Sequence, residues 1–325
     1  MNVQIRPGTT SLADYGAIAS IHNAVWQSAG LTAENRQRHD SKRNPSFLFQ
    51  RLLVERAGQI IAHAAYGEDA WNHTPGKYFM EIEVHPASQQ QGVGDALYGE
   101  IVAVLMGRDP APRFFAITTR EDQPGGLAFL HKHGFRQVMR APMSRIDLTT
   151  FDATRFAAIQ EKVRQAGITL HSMSELKQRD PDWIRHWYDL EQAINADHPM
   201  ADRGEPLPFE TFAGFMDTPL VNTDAAFFAL DATGHYVGQS TLDIPDPQSK
   251  TIKVGMTGVL RSHRRLGIAT ALKVRALQFA QTYGAQAIEA SNEENNPMLQ
   301  INLRLGFQPA PAWLSFEKRF NEETP

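Results

Sequence analysis

The chain has 325 residues, 42% hydrophobic and 21% charged, with a formal charge of −4. That length predicts about two domains of ~150 residues each, and the slight acidity gives no pull toward nucleic acid or an anionic membrane. The absence of cysteine excludes disulfides, thiolate nucleophiles and Cys-ligated zinc. No apolar run reaches the ~20 residues of a membrane span, and the opening MNVQIRPGTTSLADYG has no apolar signal core; the expectation is a cytoplasmic protein.

A strand pattern begins at Val3. Arg51 to Glu55 and Ile60 to Tyr66 predict a hairpin turned at Ala57-Gly58. Alternation through Tyr78, Met80, Ile82 and Val84 predicts a strand running into a glycine segment. After Gly92, the spacing Val93, Leu97, Ile101, Val104, Leu105 is helical. A β-rich run at Phe114–Ile117 leads to a polar loop, a short helix and Gly134-Phe135, which opens a last strand. Thr149 to Gly167 is charged and helix-like, and Ile168 restarts the pattern. A second hairpin is expected from Ala226–Leu230 and Tyr236–Thr241 around Thr233-Gly234. Alternating Ile252, Val254 and Met256 then precede a helix marked by Ile268, Leu272, Ala276, Phe279 and Tyr283. Ala287–Glu289 and Gly306-Phe307 complete the second half.

The two halves are copies. IEVHPASQQQGVGDAL (82–97) aligns without gaps on TGVLRSHRRLGIATAL (257–272), placing Gln89 on Arg264, 175 residues later. Gly134-Phe135 falls on Gly306-Phe307, 172 residues later. Two landmarks in one order at nearly one offset indicate duplication of a long unit. The expected division is 1–150, a helical linker 151–167, and 168–325.

The duplicated segment, strand then Q/R-x-x-G-x-G/A then helix, is suited to an anion. Glycine lets the backbone approach a ligand. The first helical amides have no internal partners and the helix dipole favours negative charge. A pyrophosphate suits such a bend, and Arg264 and Arg265 would add charge-assisted hydrogen bonds. A tight turn without a ligand is the competing reading. Neither a Walker Lys-Ser/Thr nor G-x-G-x-x-G is present.

V-H-P-x-x-Q-x-x-G-V-G-x-x-L and G-V-L-x-x-H-R-R-L-G-I-A-x-x-L-K resemble the CoA-binding motif of the GNAT superfamily of N-acetyltransferases, and the resemblance covers nearly the whole chain as two consecutive domains. It implies an α/β fold of mixed sheet in each half, splayed so that pantetheine lies between two strands. It further implies acetyl-CoA as co-substrate, no metal, a small-molecule amine as acceptor, and a monomer or homodimer. Carried over, it puts the pantetheine arm on Val84 and Val259, beside His85 and Leu260. The pyrophosphate would meet Gln89, Gln90, Gln91, Gly92, Val93, Gly94 and Asp95 in one half, and Arg264, Arg265, Leu266, Gly267, Ile268, Ala269 and Thr270 in the other. Asn295 takes the place of a pantetheine-side Asn, with Gln123 its counterpart. Where the family often has a proton-donating Tyr, this chain has Leu130 and Asn302. The second half, keeping both arginines and Asn295, is therefore expected to carry transfer, and the first to brace it.

Candidate proton acceptors are Glu81 and Glu83 in the first half, and Thr257, Glu289 and Asp243 in the second. Asp189, Glu191, Asp197, Asp202 and Glu205 could attract a cationic amine, or simply be solvated. The basic run Arg36–Arg43 reads as an exposed loop. His131 and His133 lack partners at metal-ligand spacing. His22 with Trp26, and Trp183 with Trp187, read as core or pocket lining. Rival functions are a non-catalytic acyl-CoA sensor or scaffold, and a transferase using another acyl-CoA.

Overall fold

The computed structural model describes all residues except 1–2, 28–29, 42, 71, 110, 198–203, 218–220, 245–249 and 321–325. Asp202 and Lys42 thus lie outside the described residues. The chain forms two compact units, residues 1–139 with 201–205 and 314–325, and residues 140–200 with 206–313. No helix among the described residues is long and apolar enough to cross a membrane.

In the first unit the elements are β1 (Gln4–Pro7), α1 (Leu12–Trp26), α2 (Ala33–Ser41), β2 (Phe49–Arg56), β3 (Gln59–Gly67), β4 (Lys77–Val84), α3 (Val93–Met106), β5 (Phe114–Arg120) and α4 (Pro124–Lys132). β6 (Arg136–Asp147) leaves it and belongs mostly to the second unit. That unit continues with α5 (Ala157–Gln165), β7 (Thr169–Ser172), α6 (Met173–Lys177), α7 (Trp183–Asn195), α8 (Phe209–Met216), β8 (Ala226–Leu230), β9 (Tyr236–Asp243), β10 (Thr251–Val259), α9 (Ile268–Tyr283), β11 (Ala287–Ser291) and α10 (Pro297–Leu305). β12 (Gln308–Arg319) returns to the first unit from Leu314 onward.

The sheet orders are the same: β1-β2-β3-β4-β5-β12 in the first unit, and β7-β8-β9-β10-β11-β6 in the second. Each half therefore lends its last strand to the other's sheet. Met143–Asp147 pairs antiparallel with Ala287–Ser291. In the first unit the Phe320 amide donates to the Arg113 carbonyl at 2.8 Å, and Phe320 meets Phe115 edge-on at 4.7 Å. The expected boundaries differ from these units on that account. The segment read as a linker is also not a spacer, since α5 packs on α9 within the second unit.

Both predicted hairpins form. Ala57 and Gly58 have φ of 49° and 78°, the left-handed pair of a two-residue primed turn whose twist matches its strands. Apolar positions of α9 pack Leu272, Val274 and Leu277 against the sheet. Trp183, Trp187, Phe212 and Phe228 fill the opposite side of the second unit. In the first, Leu97, Ile101 and Leu105 of α3 are fully buried with Phe115.

Candidate functional site

Each unit carries a cleft where a parallel strand pair separates. β4 follows β5 only from Lys77–Met80 with Phe114–Ile117, and β10 follows β11 only from Thr251–Lys253 with Ala287–Glu289. Beyond those registers the strands part and leave backbone groups without a cross-strand partner. In β10 a bulge lies between Val254 and Thr257, re-aiming the strand at the point of separation.

Behind each opening lies the glycine bend. Gly92 and Gly267 cap α3 and α9 with φ of 76° and 94°, and neither helix start has a side-chain cap. Two residues earlier, Gln90 and Arg265 are also left-handed, at φ of 58° and 67°. A non-glycine residue held there stores about 1–3 kcal/mol of strain, and the same strained step recurs in both copies 175 residues apart (90 to 265). The result in each is a run of amides pointing out of the helix end, the arrangement that grips a phosphate.

The clefts differ in size and charge. That of the second unit has about 1030 Å³ and is lined by Lys162, Arg261, Arg264, Arg265 and Arg304 against the single carboxylate Asp197. That of the first has about 540 Å³ and offers Lys132 against Glu83 and Asp95. A polyphosphate is therefore drawn more strongly to the second than to the first.

Comparison with known proteins accounts for this geometry. The acetyltransferase (GNAT) family profile matches residues 15–135 and 184–307. The chain belongs to the GNAT family. It covers 98% of itself and 95% of a GCN5-related N-acetyltransferase from Sphaerobacter thermophilus at 19% identity and a TM-score of 0.72. A tandem GNAT protein from the clavulanic acid biosynthesis pathway is 18% identical, with 98% of both chains covered and a TM-score of 0.75. A GCN5-related glucosamine N-acetyltransferase region of a fungal multi-domain β-N-acetylglucosaminidase is 13% identical, with 98% of this chain and 38% of that one covered and a TM-score of 0.74. No curated protein matches the sequence. Two consecutive GNAT domains are thus established, and with them acyl transfer from an acyl-CoA as the family's chemistry.

The GNAT bends hold most of the expected donor-binding residues at the clefts. Val259, Arg264, Arg265, Gly267, Ile268, Ala269 and Thr270 line the larger cleft; Val84, Gln89, Gln90, Gly92, Gly94, Asp95 and Gln123 line the smaller. Gln89 Nε2 donates to the Val84 carbonyl at 3.0 Å and Arg264 Nε to the Val259 carbonyl at 3.1 Å, so the same side chain steadies the strand end in both copies. Arg264 also reaches Asp197 at 2.5 Å, and Arg261 grips the same carboxylate, which holds Asp197 well below the usual carboxylate range.

Other expected residues sit elsewhere. Leu260 and Leu266 pack on the core, and Val93 is buried. His85 Nδ1 accepts from the Ala87 amide at 3.3 Å, and Gln91 is tied to Arg56 at 2.7 Å and Ala87 at 3.1 Å. Asn295 turns to Glu293 at 2.8 Å, while its neighbour Asn296 caps α10 and lines the cleft. Asn302 is fully buried and donates to Asn292 at 2.7 Å. Leu130 does line the smaller cleft, at 2% exposure, but has no proton to give. Sequence reasoning missed Lys162 and Ile159, which α5 brings to the larger cleft. A Cβ on Gly267 would stand 3.1 Å from Ile159 Cγ2, so the helix closes over the bend.

The candidate bases fare unequally. Glu289 pairs with Arg145 at 2.8 Å, Asp243 is the exposed end of an otherwise largely buried strand, and Thr257 bonds Ser240 at 3.0 Å while lining the cleft. Glu191 is a different case. It stands on α7 one turn before Ile194, which lines the larger cleft. Burial raises its carboxyl above the ordinary value, against hydrogen bonds from Gln239 and Asn195. In the first unit Glu83 accepts from His22 Nδ1 at 3.0 Å, His63 Nε2 at 3.0 Å and Trp26 Nε1 at 2.6 Å. These donors outweigh burial and hold it well below the usual range. Glu81 is paired with Arg36. His63, Glu81 and Glu83 have ligand atoms within 4.8 Å of one another, but guanidinium, imidazole and indole donors already occupy those oxygens, so the set works as a hydrogen-bonded ion network. His131 packs on Phe316, and His133 bonds Asp95 at 2.7 Å.

Proposed function

We propose that the second unit moves an acetyl group from acetyl-CoA to a primary amine of a small molecule, by direct attack of the amine on the thioester. The observation that carries this reading is the larger cleft: parted strands, an uncapped left-handed bend and five cations against one carboxylate. The bend amides and Arg265 would hold the pyrophosphate, and Lys162 a further phosphate oxygen. The separated part of β10 would offer its backbone to the pantetheine arm. No Cys is present to form an acyl-enzyme, so catalysis comes from positioning and from amides that polarise the carbonyl.

Glu191 is the group proposed to take the ammonium proton, because its raised affinity for a proton matches the task better than that of an ordinary surface carboxylate. With Asn302 buried, the departing thiolate draws its proton from the newly formed N–H of the addition intermediate or from water.

Calorimetry with CoA and a thiol-release assay with acetyl-CoA and glucosamine, spermidine and glycinamide test the proposal. Micromolar binding and amine-dependent release are expected; absence of binding to the wild-type protein would remove the reading.

A further inference from the structure

We infer that the first unit is a second proton-transfer centre, in which His22 is the base for an amine substrate and Glu83 sets its tautomer. This rests on the acyl-CoA reading of the fold, applied to the unit that the sequence marks as a brace.

Glu83 fixes the orientation and protonation of the ring beside it. The carboxylate accepts from three donors and is held ionised. A carboxylate can only accept, so His22 Nδ1 at 3.0 Å must carry the hydrogen. In the neutral ring Nε2 is then left with a free lone pair. His63 on the other side is fully buried, whereas the His22 side chain keeps 30% of its surface exposed. Only His22 of the two can meet a substrate. Glu83 and Trp26 line the cleft where β4 and β5 part, and Trp26 lies one turn from His22 on α1. His22 borders that cleft through Glu83, which it meets at 3.0 Å, and through Trp26, rather than lining it itself.

The surroundings are charged but paired. Glu81 faces Arg36 and lies 3.9 Å from Arg51, and Asp40 holds Arg51. His63 and Glu83 stand behind the ring.

The second unit lacks this device. By strand register Val84 faces Ala62 and Val259 faces Gly238, so Gly258 occupies the place of Glu83 and Gln239 that of His63. A Cβ at Gly258 would stand 2.2 Å from Ile194 Cγ2, so no carboxylate fits there. The copy that is poorer in donor charge is the one that holds the better proton acceptor.

In the step itself, His22 Nε2 takes one proton from R–NH3+, and the free amine adds to the thioester carbonyl. The C–S bond breaks, the addition intermediate passes a second proton to the thiolate, and imidazolium releases the first to solvent. The products are the amide, CoA thiol and one proton.

The test uses the full chain with the larger cleft blocked by Arg265→Glu and Thr270→Glu, which avoids the crowded Gly267. Native mass spectrometry should count two CoA molecules on the wild type and one on this background. Thiol release is then followed with acetyl-CoA and glucosamine, spermidine and glycinamide. On the background, His22→Gln should lower kcat by about 100-fold or more, leave KM for acetyl-CoA unchanged, and abolish the acid limb of the pH–rate profile. Glu83→Gln should shift that limb. Long-range ¹⁵N–¹H spectra should show His22 as the Nδ1–H tautomer, and as a mixture in Glu83→Gln. Equal turnover by His22→Gln, or wild-type turnover that vanishes in the blocked background, would overturn the inference alone. A wild type that neither binds CoA nor releases thiol would overturn the acyltransferase reading as well.

Discussion

Replacing Glu191 by glutamine separates a catalytic carboxylate from a structural one, because the two roles give opposite signs. The side chain is half-buried on α7, and desolvation raises its carboxyl above the ordinary 4.5. A carboxyl whose folded-state value is raised binds its proton longer in the native than in the unfolded protein. Stability therefore falls as pH rises from about 4.5 to the folded value, by ~1.4 kcal/mol per pH unit in that window. Glutamine keeps the shape and removes this loss. The new side-chain amide oxygen can still accept from Gln239 Nε2. The variant should thus be more stable at pH 8, with a gain that shrinks as pH falls toward 4.5. At about 3 °C per kcal/mol for a unit of this size, thermal melts resolve the difference. Activity should move the other way: in a chain whose first unit is silenced by His22→Gln, kcat for amine-dependent thiol release falls by about 100-fold. A variant that melts lower at pH 8, or retains wild-type kcat, would refute the reasoning.

Lys162→Ala should weaken CoA binding about fivefold, a charge-assisted hydrogen bond discounted for exposure; calorimetry with dephospho-CoA alongside CoA shows which phosphate it meets, and equal affinities for wild type and variant would remove α5 from the site. Asp197→Asn should release Arg261 and Arg264 and tighten CoA binding about threefold with a steeper salt dependence; weaker binding would mean that the carboxylate positions the arginines. Lys273 is buried on α9 and desolvation lowers its ammonium to about 8 from 10.5. Its folded value lies below the unfolded one, so stability rises with pH from about 8 to 10.5, and Lys273→Met should gain about 3 kcal/mol at pH 7 in urea titrations. A flat stability profile across that range would show the ammonium to be solvated.

Features set by neighbours along the chain were legible in the sequence. The hairpin at Ala57-Gly58, the bend at Gly92 and its copy at Gly267, and the helical stripe from Ile268 to Tyr283 follow from local spacing and left-handed positions. What escaped depends on contacts across many residues. His22 meets Glu83 across 61 positions, and Gln239 meets Glu191 across 48. Periodicity shows which face of a strand is buried but not which strand lies beside it, so the exchange of β6 and β12 left no trace. Asn295 and Asn296 differ by one residue; the side chain that caps α10 is decided by where that helix begins.

The exchanged strands also bear on how such a chain can change over time. Deleting either half would remove more than one lobe, since Met143–Asp147 completes the second sheet and Leu314–Arg319 the first. A copy whose chemistry decayed would still be indispensable as a supplier of its neighbour's closing strand. Selection can therefore reshape one lobe's substrate preferences freely, yet never discard that lobe, and such tethering keeps a second cleft available for new use.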